Sequence, residues 1–132
     1  MDKLSGRNIL RMLLLVVAVM AVSALALQVS NTRSEHVQYL NVEEFKAKMD
    51  DGKGVLIDVR TTEEYTGGHI EGAVNIDFYG SFVNDILHYK KNREYYLYCR
   101  SGSRSGQAAE LMAKNGFKHV WSLKNAGYDD LK

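Results

Sequence analysis

Tyr96-Leu97-Tyr98-Cys99-Arg100-Ser101-Gly102-Ser103-Arg104-Ser105-Gly106 contains the only cysteine of the 132-residue chain. Tyr95 to Tyr98 make an apolar and aromatic run of the kind found in a buried strand. Ala108, Ala109, Leu111 and Met112 follow at helical spacing, and Gly116 stands where a helix stops. Cys99 therefore falls at a strand-to-helix turn, on a small, glycine-bearing loop with two arginines. The N–H groups of such a loop point inward without partners. They add to the positive end of the helix dipole and form an anion site. A cysteine there has its pKa drawn below the ordinary value of about 8.5, because the thiolate is stabilised. Arg100 and Arg104 add fixed positive charge. An inert core cysteine is the commoner role in general, but inert packing gives no reason for arginines flanking a glycine turn.

Working outward, Val37 to Leu40 reads as a short first strand. Asn41 opens a helix with Glu44 three residues on, the spacing of a capping box, and Val42, Phe45 and Met49 form its inward stripe. Asp51 to Gly54 is a turn. Val55-Leu56-Ile57-Asp58-Val59 is a continuous apolar strand of the type buried on both faces. Thr61, with Glu64, caps a short helix that Gly67-Gly68 ends. Ala73 to Ile76 reads as a third strand. Tyr79, Phe82, Val83, Ile86 and Leu87 mark one face of a helix over about residues 78–89. The helix after Cys99 covers about 104–115, His119 to Trp121 is a last strand, and Gly127 to Leu131 is a final helical turn. This alternation predicts an α/β fold: a small, mostly parallel sheet of about five strands with helices on both faces. Ligands bind beyond the carboxyl ends of such strands, which is where Cys99 falls.

The chain is long enough for one domain. Residues 1–11 are polar with a positive bias, and Met12 to Leu27 is a run of 16 uncharged residues that includes Ala24-Leu25-Ala26. This is the three-part form of a secretory signal peptide cleaved after Ala26. The run is shorter than the about 20 apolar residues a span needs, which favours cleavage over an uncleaved anchor. Either way the domain lies outside the cytoplasm, periplasmic or secreted, and is membrane-bound only if residues 1–26 remain. Residues 27–36 form a linker and 37–132 the domain. Residues 27–132 hold 14 cations against 15 acids, so nothing suggests nucleic acid. One cysteine excludes an intramolecular disulfide, and His36, His69, His88 and His119 share no ligand spacing, so no metal site is expected.

Asp58-Val59-Arg60, Glu64-Tyr65, Gly68-His69-Ile70-Glu71-Gly72-Ala73-Val74-Asn75-Ile76 and the loop Cys99 to Ser105 stand in an order and spacing that resembles the single-domain rhodaneses, which are sulfurtransferases. With the signal-like start and Ser105-Gly106-Gln107-Ala108 after the loop, the chain most resembles the periplasmic phage-shock members of that family. The resemblance implies that Cys99 is the nucleophile. It takes the outer sulfur of thiosulfate or a persulfide and passes it to cyanide or a thiol, in two steps. The same features would suit a persulfide carrier that delivers sulfur to a protein partner without rapid turnover. Arg100, Ser101, Gly102, Ser103, Arg104 and Ser105 would cradle the persulfide, with the arginines holding the anionic donor. Asp58, Arg60 and Glu64 would support the loop through ion pairs, and no metal or organic cofactor is implied. Related phosphatases have five residues between cysteine and arginine, whereas four separate Cys99 from Arg104. The narrower ring suits a persulfide sulfur rather than a tetrahedral oxyanion. The chain departs from the family at Glu71 and Asp77, where proline is common, and at Asn125-Ala126-Gly127-Tyr128, which replaces a Gly-Gly and tryptophan region.

Overall fold

The strand that leads to Cys99 is the centre of the sheet. It is β4, Glu94–Tyr98, in a computed structural model that describes residues 5–29 and 33–132. The basic start of the chain and the linker expected over 27–36 fall partly outside those residues. An apolar helix, α1 (Gly6–Val29), forms the first of two units, and its side chains from Ile9 to Val22 are exposed. The second unit begins at Ser34 and holds the rest: β1 (Val37–Leu40), α2 (Val42–Asp51), β2 (Val55–Asp58), α3 (Thr62–Thr66), β3 (Val74–Asn75), α4 (Phe82–Ile86), β4, α5 (Ser103–Lys114), β5 (His119–Leu123) and α6 (Tyr128–Leu131).

The five strands lie in the order β1-β5-β4-β2-β3, and every pairing is parallel. Val55 stands opposite Tyr95 and Asp58 opposite Tyr98, while Glu94 stands opposite His119. A strand with neighbours on both sides and helices on both faces must be apolar throughout. β4 meets this with Tyr95, Tyr96, Leu97 and Tyr98, all buried. Its side chains alternate between two cores. Tyr95 and Leu97 join Ile57, Val59, Phe82, Ile86, Met112 and Phe117 on the face covered by α4 and α5. Tyr96 and Tyr98 join Phe45, Trp121 and Leu131 on the face covered by α2 and α6. Full burial of each of these large side chains contributes about 1.5–3 kcal/mol. The buried tyrosines keep their hydroxyls satisfied: Tyr98 Oη accepts from the Ile70 N–H at 3.1 Å, and Tyr95 Oη donates to the Lys90 carbonyl.

Local signals formed as expected where they are short range. Asn41 and Glu44 make the capping box of α2, and Thr61 and Glu64 that of α3. Asn115, Gly116 (φ 93) and the Phe117 N–H close the end of α5. The helix expected over 78–89 is a correction. α4 has five residues: of the expected stripe only Phe82 and Ile86 are buried, while Tyr79, Val83 and Leu87 are exposed and Ser81 makes no side-chain cap. The last strand is longer than expected and runs on through Ser122 and Leu123, pairing with β1 and β4.

The segment after β5 presses on the cysteine loop. A Cβ placed on Gly127 would stand 1.8 Å from the Arg100 carbonyl oxygen and 2.1 Å from its carbon. Both are backbone atoms, so no side-chain end can move aside. Gly127→Ala is expected to destabilise the domain by about 2–3 kcal/mol, lowering its melting temperature by roughly 10 °C. A thermal melt unchanged from wild type would contradict the close approach.

Candidate functional site

Cys99 is the first residue past β4 and has no exposed surface. Gly102 follows at φ 92 and is the N-cap of α5. A side chain there would be strained, and its Cβ would also stand 2.9 Å from the Asn125 nitrogen. This left-handed residue turns the chain back over the sulfur. The Gly102 N–H donates to Sγ at 3.1 Å, and the N–H groups of Ser101 and Ser105 also favour the charged sulfur. The Ser105 hydroxyl lies 3.5 Å from Sγ. Burial pushes the thiol pKa up, but the hydrogen bonds from Ser105, Ser101 and Gly102 outweigh it, and the net direction is down. The loop therefore favours the thiolate form of a sulfur that has been taken out of water.

The two arginines of the loop differ. Arg100 is exposed. Arg104, on the first turn of α5, donates from Nη1 to Glu64 Oε2 at 2.7 Å and from Nη2 to Oε1 at 3.1 Å. The same Glu64 accepts from the Thr61 N–H at 2.9 Å, so the carboxylate that caps α3 also fixes the start of α5. The Arg104 guanidinium holds the Glu64 pKa down at about 2, against burial, and the Thr61 N–H adds to this. The Arg104 guanidinium also lies 5.7 Å from the centroid of the exposed Tyr79 ring.

Asp58 and Arg60 form a second, buried pair, with Nη2 to Oδ2 at 2.7 Å. Arg60 also donates to the Gly68 carbonyl at 2.6 Å, and its guanidinium lies 4.2 Å from the centroid of Tyr128. The Tyr128 N–H donates to the Cys99 carbonyl at 2.9 Å. The expected support residues thus fall in two pairs that reach the loop by different contacts: Glu64 through Arg104, and Asp58 through Arg60 and Tyr128.

Sequence reasoning missed Gly127, Tyr128 and Ser122. Their contacts with the loop cross long stretches of chain. The one available signal was a serine among the apolar residues of His119–Leu123. Ser122 is buried, and its Oγ is 3.1 Å from Ser105 Oγ. His69 stacks on Tyr65 with ring centroids 3.7 Å apart, a packing role within the 62–70 turn. A cleft of about 480 Å³ lined by Gly54, Val55, Arg93 and Tyr96 lies at the amino ends of β2 and β4, at the other end of the sheet from Cys99. Among the described residues no group of three or more His, Cys, Asp or Glu could hold a metal ion.

Residues 41–130 match the family model of the rhodanese-like domain. The chain is 37% identical over 92 residues to Bacillus subtilis YrkF, whose name describes a sulfur carrier, covering 69% of this chain and 49% of that one. It is 35% identical over 91 residues to the tRNA uridine(34) hydroxylase of Buchnera aphidicola, covering 65% of this chain. It spans only 28% of the hydroxylase's length, so what is shared is one domain. The fold superposes on a rhodanese-like domain protein from Staphylococcus aureus with TM-score 0.63 and 28% identity, covering 72% of this chain and 91% of that one. A human single-domain sulfurtransferase has the same fold at TM-score 0.60 and 24% identity, covering 70% of this chain and 92% of that one.

Glu64→Gln removes the charge that Arg104 grips. The pair is partly exposed, so its loss costs about 1 kcal/mol, or roughly 4–8 °C in melting temperature at pH 7. Because the Glu64 pKa falls on folding, its contribution is complete above about pH 4.5 and is lost as the pH drops toward 2. Thermal melts of the two proteins should differ at pH 7 and converge in acid. A constant gap would show that Arg104 is not held by charge.

Proposed function

The chain belongs to the rhodanese-like domain family, and on that premise we propose that it moves sulfane sulfur through a persulfide on Cys99. The family joins sulfurtransferases and sulfur carriers. The observation that carries the reading for this chain is the thiolate-favouring loop, in which N–H groups bond Sγ where water does not reach it.

In the proposed reaction the Cys99 thiolate attacks the outer sulfur of thiosulfate. A bond forms between Sγ and that sulfur, the sulfur–sulfur bond of thiosulfate breaks, and sulfite leaves with the electron pair. Cyanide or a thiolate then attacks the outer sulfur of the persulfide. Thiocyanate or a new persulfide departs, and the Cys99 thiolate is restored. No oxidant is needed in either step. The loop amides act in both, because each begins or ends with negative charge on sulfur. Arg100, which is exposed, is free to meet the anionic donor. Arg104 is committed to Glu64, so its part is to fix the first turn of α5 and to add positive charge near Sγ. Ser101, Gly102, Ser103 and Ser105 form the rest of the cradle.

A carrier role is the second reading. Complete burial of Cys99 supports it, since a protein partner that engages the loop would help to expose the sulfur. The proposed donor is a small anionic sulfur compound, and the acceptor a thiol, cyanide or a protein. The balance of charge outside the N-terminal run gives no reason to propose nucleic acid. The exposed apolar helix α1 has the length and composition of a signal sequence or an anchor. It supports a periplasmic or secreted domain of the phage-shock type, with residues 1–26 cleaved or retained in the membrane.

Intact mass spectrometry after thiosulfate treatment tests the reading. The protein should gain one sulfur, lose it on addition of cyanide, and show no gain in Cys99→Ser. Persulfide formed but not released to cyanide would favour the carrier. No gain at all would overturn both readings. The same spectrum on protein from native cells reads the N-terminus, and an intact Met1 would exclude cleavage.

A further inference from the structure

Ser122 stands in β5 between Trp121 and Leu123, and like Ser105 it has no exposed surface. Neither hydroxyl is in contact with solvent. Ser122 Oγ is 3.1 Å from Ser105 Oγ, while its other acceptor in reach, the Leu123 carbonyl oxygen, is at 3.4 Å. Ser105 Oγ has two claimants for its single proton: Cys99 Sγ at 3.5 Å and the same Leu123 carbonyl at 3.4 Å. Distance alone does not decide between them.

We propose that Ser122 is a positioning residue for the Cys99 thiolate: it donates to Ser105 Oγ and so biases the Ser105 proton toward Sγ. A hydroxyl that accepts a hydrogen bond becomes a stronger donor, and inside a buried chain this polarisation is not lost to solvent. When Cys99 is a thiol, its proton goes to Ser105 Oγ and Ser105 donates to the Leu123 carbonyl. When Cys99 is ionised, the Ser105 hydroxyl turns to the sulfur, and Ser122 supplies the hydrogen bond that supports the turn. The two serines come from different elements, α5 and β5, so the device ties the nucleophile to the sheet as well as to its own loop. The titratable groups nearest the loop are Tyr98 of β4, Arg100 in the loop, Arg104 of α5 with Glu64 of α3 and Tyr79 beside it, Asp58 at the end of β2 with Arg60 just past it, and Tyr128 of α6. All of them are kept in the variants below.

The inference rests on Cys99 being the reactive group, and the test separates the two. The rate of alkylation by iodoacetamide is followed against pH in wild type, Ser122→Ala, Ser105→Ala and the double variant, with thermal melts alongside. In Ser122→Ala the profile should move to higher pH, with a rate at neutral pH reduced about threefold, less than the loss of a full direct hydrogen bond. In the Ser105→Ala background the second change should have no further effect. Ser122→Thr and Ser122→Val, matched in volume, differ only in the hydroxyl. Thr should keep the lower profile and Val lose it, even if both lower the melting temperature. A Ser122→Ala profile that superimposes on wild type, an equal loss with or without Ser105, or identical Thr and Val profiles would overturn the assignment. A wild-type thiol that titrates like one in a free peptide would instead sink the functional reading itself.

Discussion

Burial of the Cys99 sulfur sets the terms for everything around it. Water is the ordinary stabiliser of a thiolate, and here it is gone. Taking a charge into the interior is costly unless hydrogen bonds replace the lost hydration. The loop supplies them from the Gly102, Ser101 and Ser105 N–H groups and the Ser105 hydroxyl. These donors are fixed before any substrate arrives, which is what makes such a site effective for developing or returning negative charge. A site of this kind works only while the loop keeps its shape.

Three restraints keep it. Gly102 adopts a backbone conformation at φ 92 that other residues resist, packed directly against Asn125 and Leu123. Glu64 joins the cap of α3 to Arg104 at the start of α5, so two helices that begin near the site are locked to one carboxylate. Separately, Asp58 holds Arg60, which lies over Tyr128, and the Tyr128 N–H holds the Cys99 carbonyl. Individually these are modest interactions. Together they hold one turn by contacts drawn from separate stretches of the chain.

That distribution explains what could be read from the sequence. The order and type of the elements were legible because β4, β2 and the two capping boxes are short-range patterns. Cys99, its loop and the Glu64 position were legible for the same reason. The length of α4 was not: Tyr79, Val83 and Leu87 follow helical spacing, but of that stripe the fold buries only Phe82 and Ile86. The partner of Arg104 was also out of reach. Arg104 reads as a substrate-binding charge until Glu64, forty residues away, is found against it. Gly127 and Tyr128 carry no local mark of a role at the loop, and Ser122 only that of a polar residue in an apolar strand, because their importance lies in what the fold brings beside them. The missing Gly-Gly signal near the C-terminus is met by Asn125, which itself adopts φ 54.

A parallel sheet places its helix N-termini at one end, and this chain puts its single thiol there. Main-chain donors favour the ionised form of that thiol in spite of its burial. Thiolate ultraviolet absorbance of the wild-type protein, titrated with pH, measures this directly. The account predicts a midpoint clearly below the value of about 8.5 for a free cysteine. A midpoint at or above that value would mean that burial has won, and would contradict it.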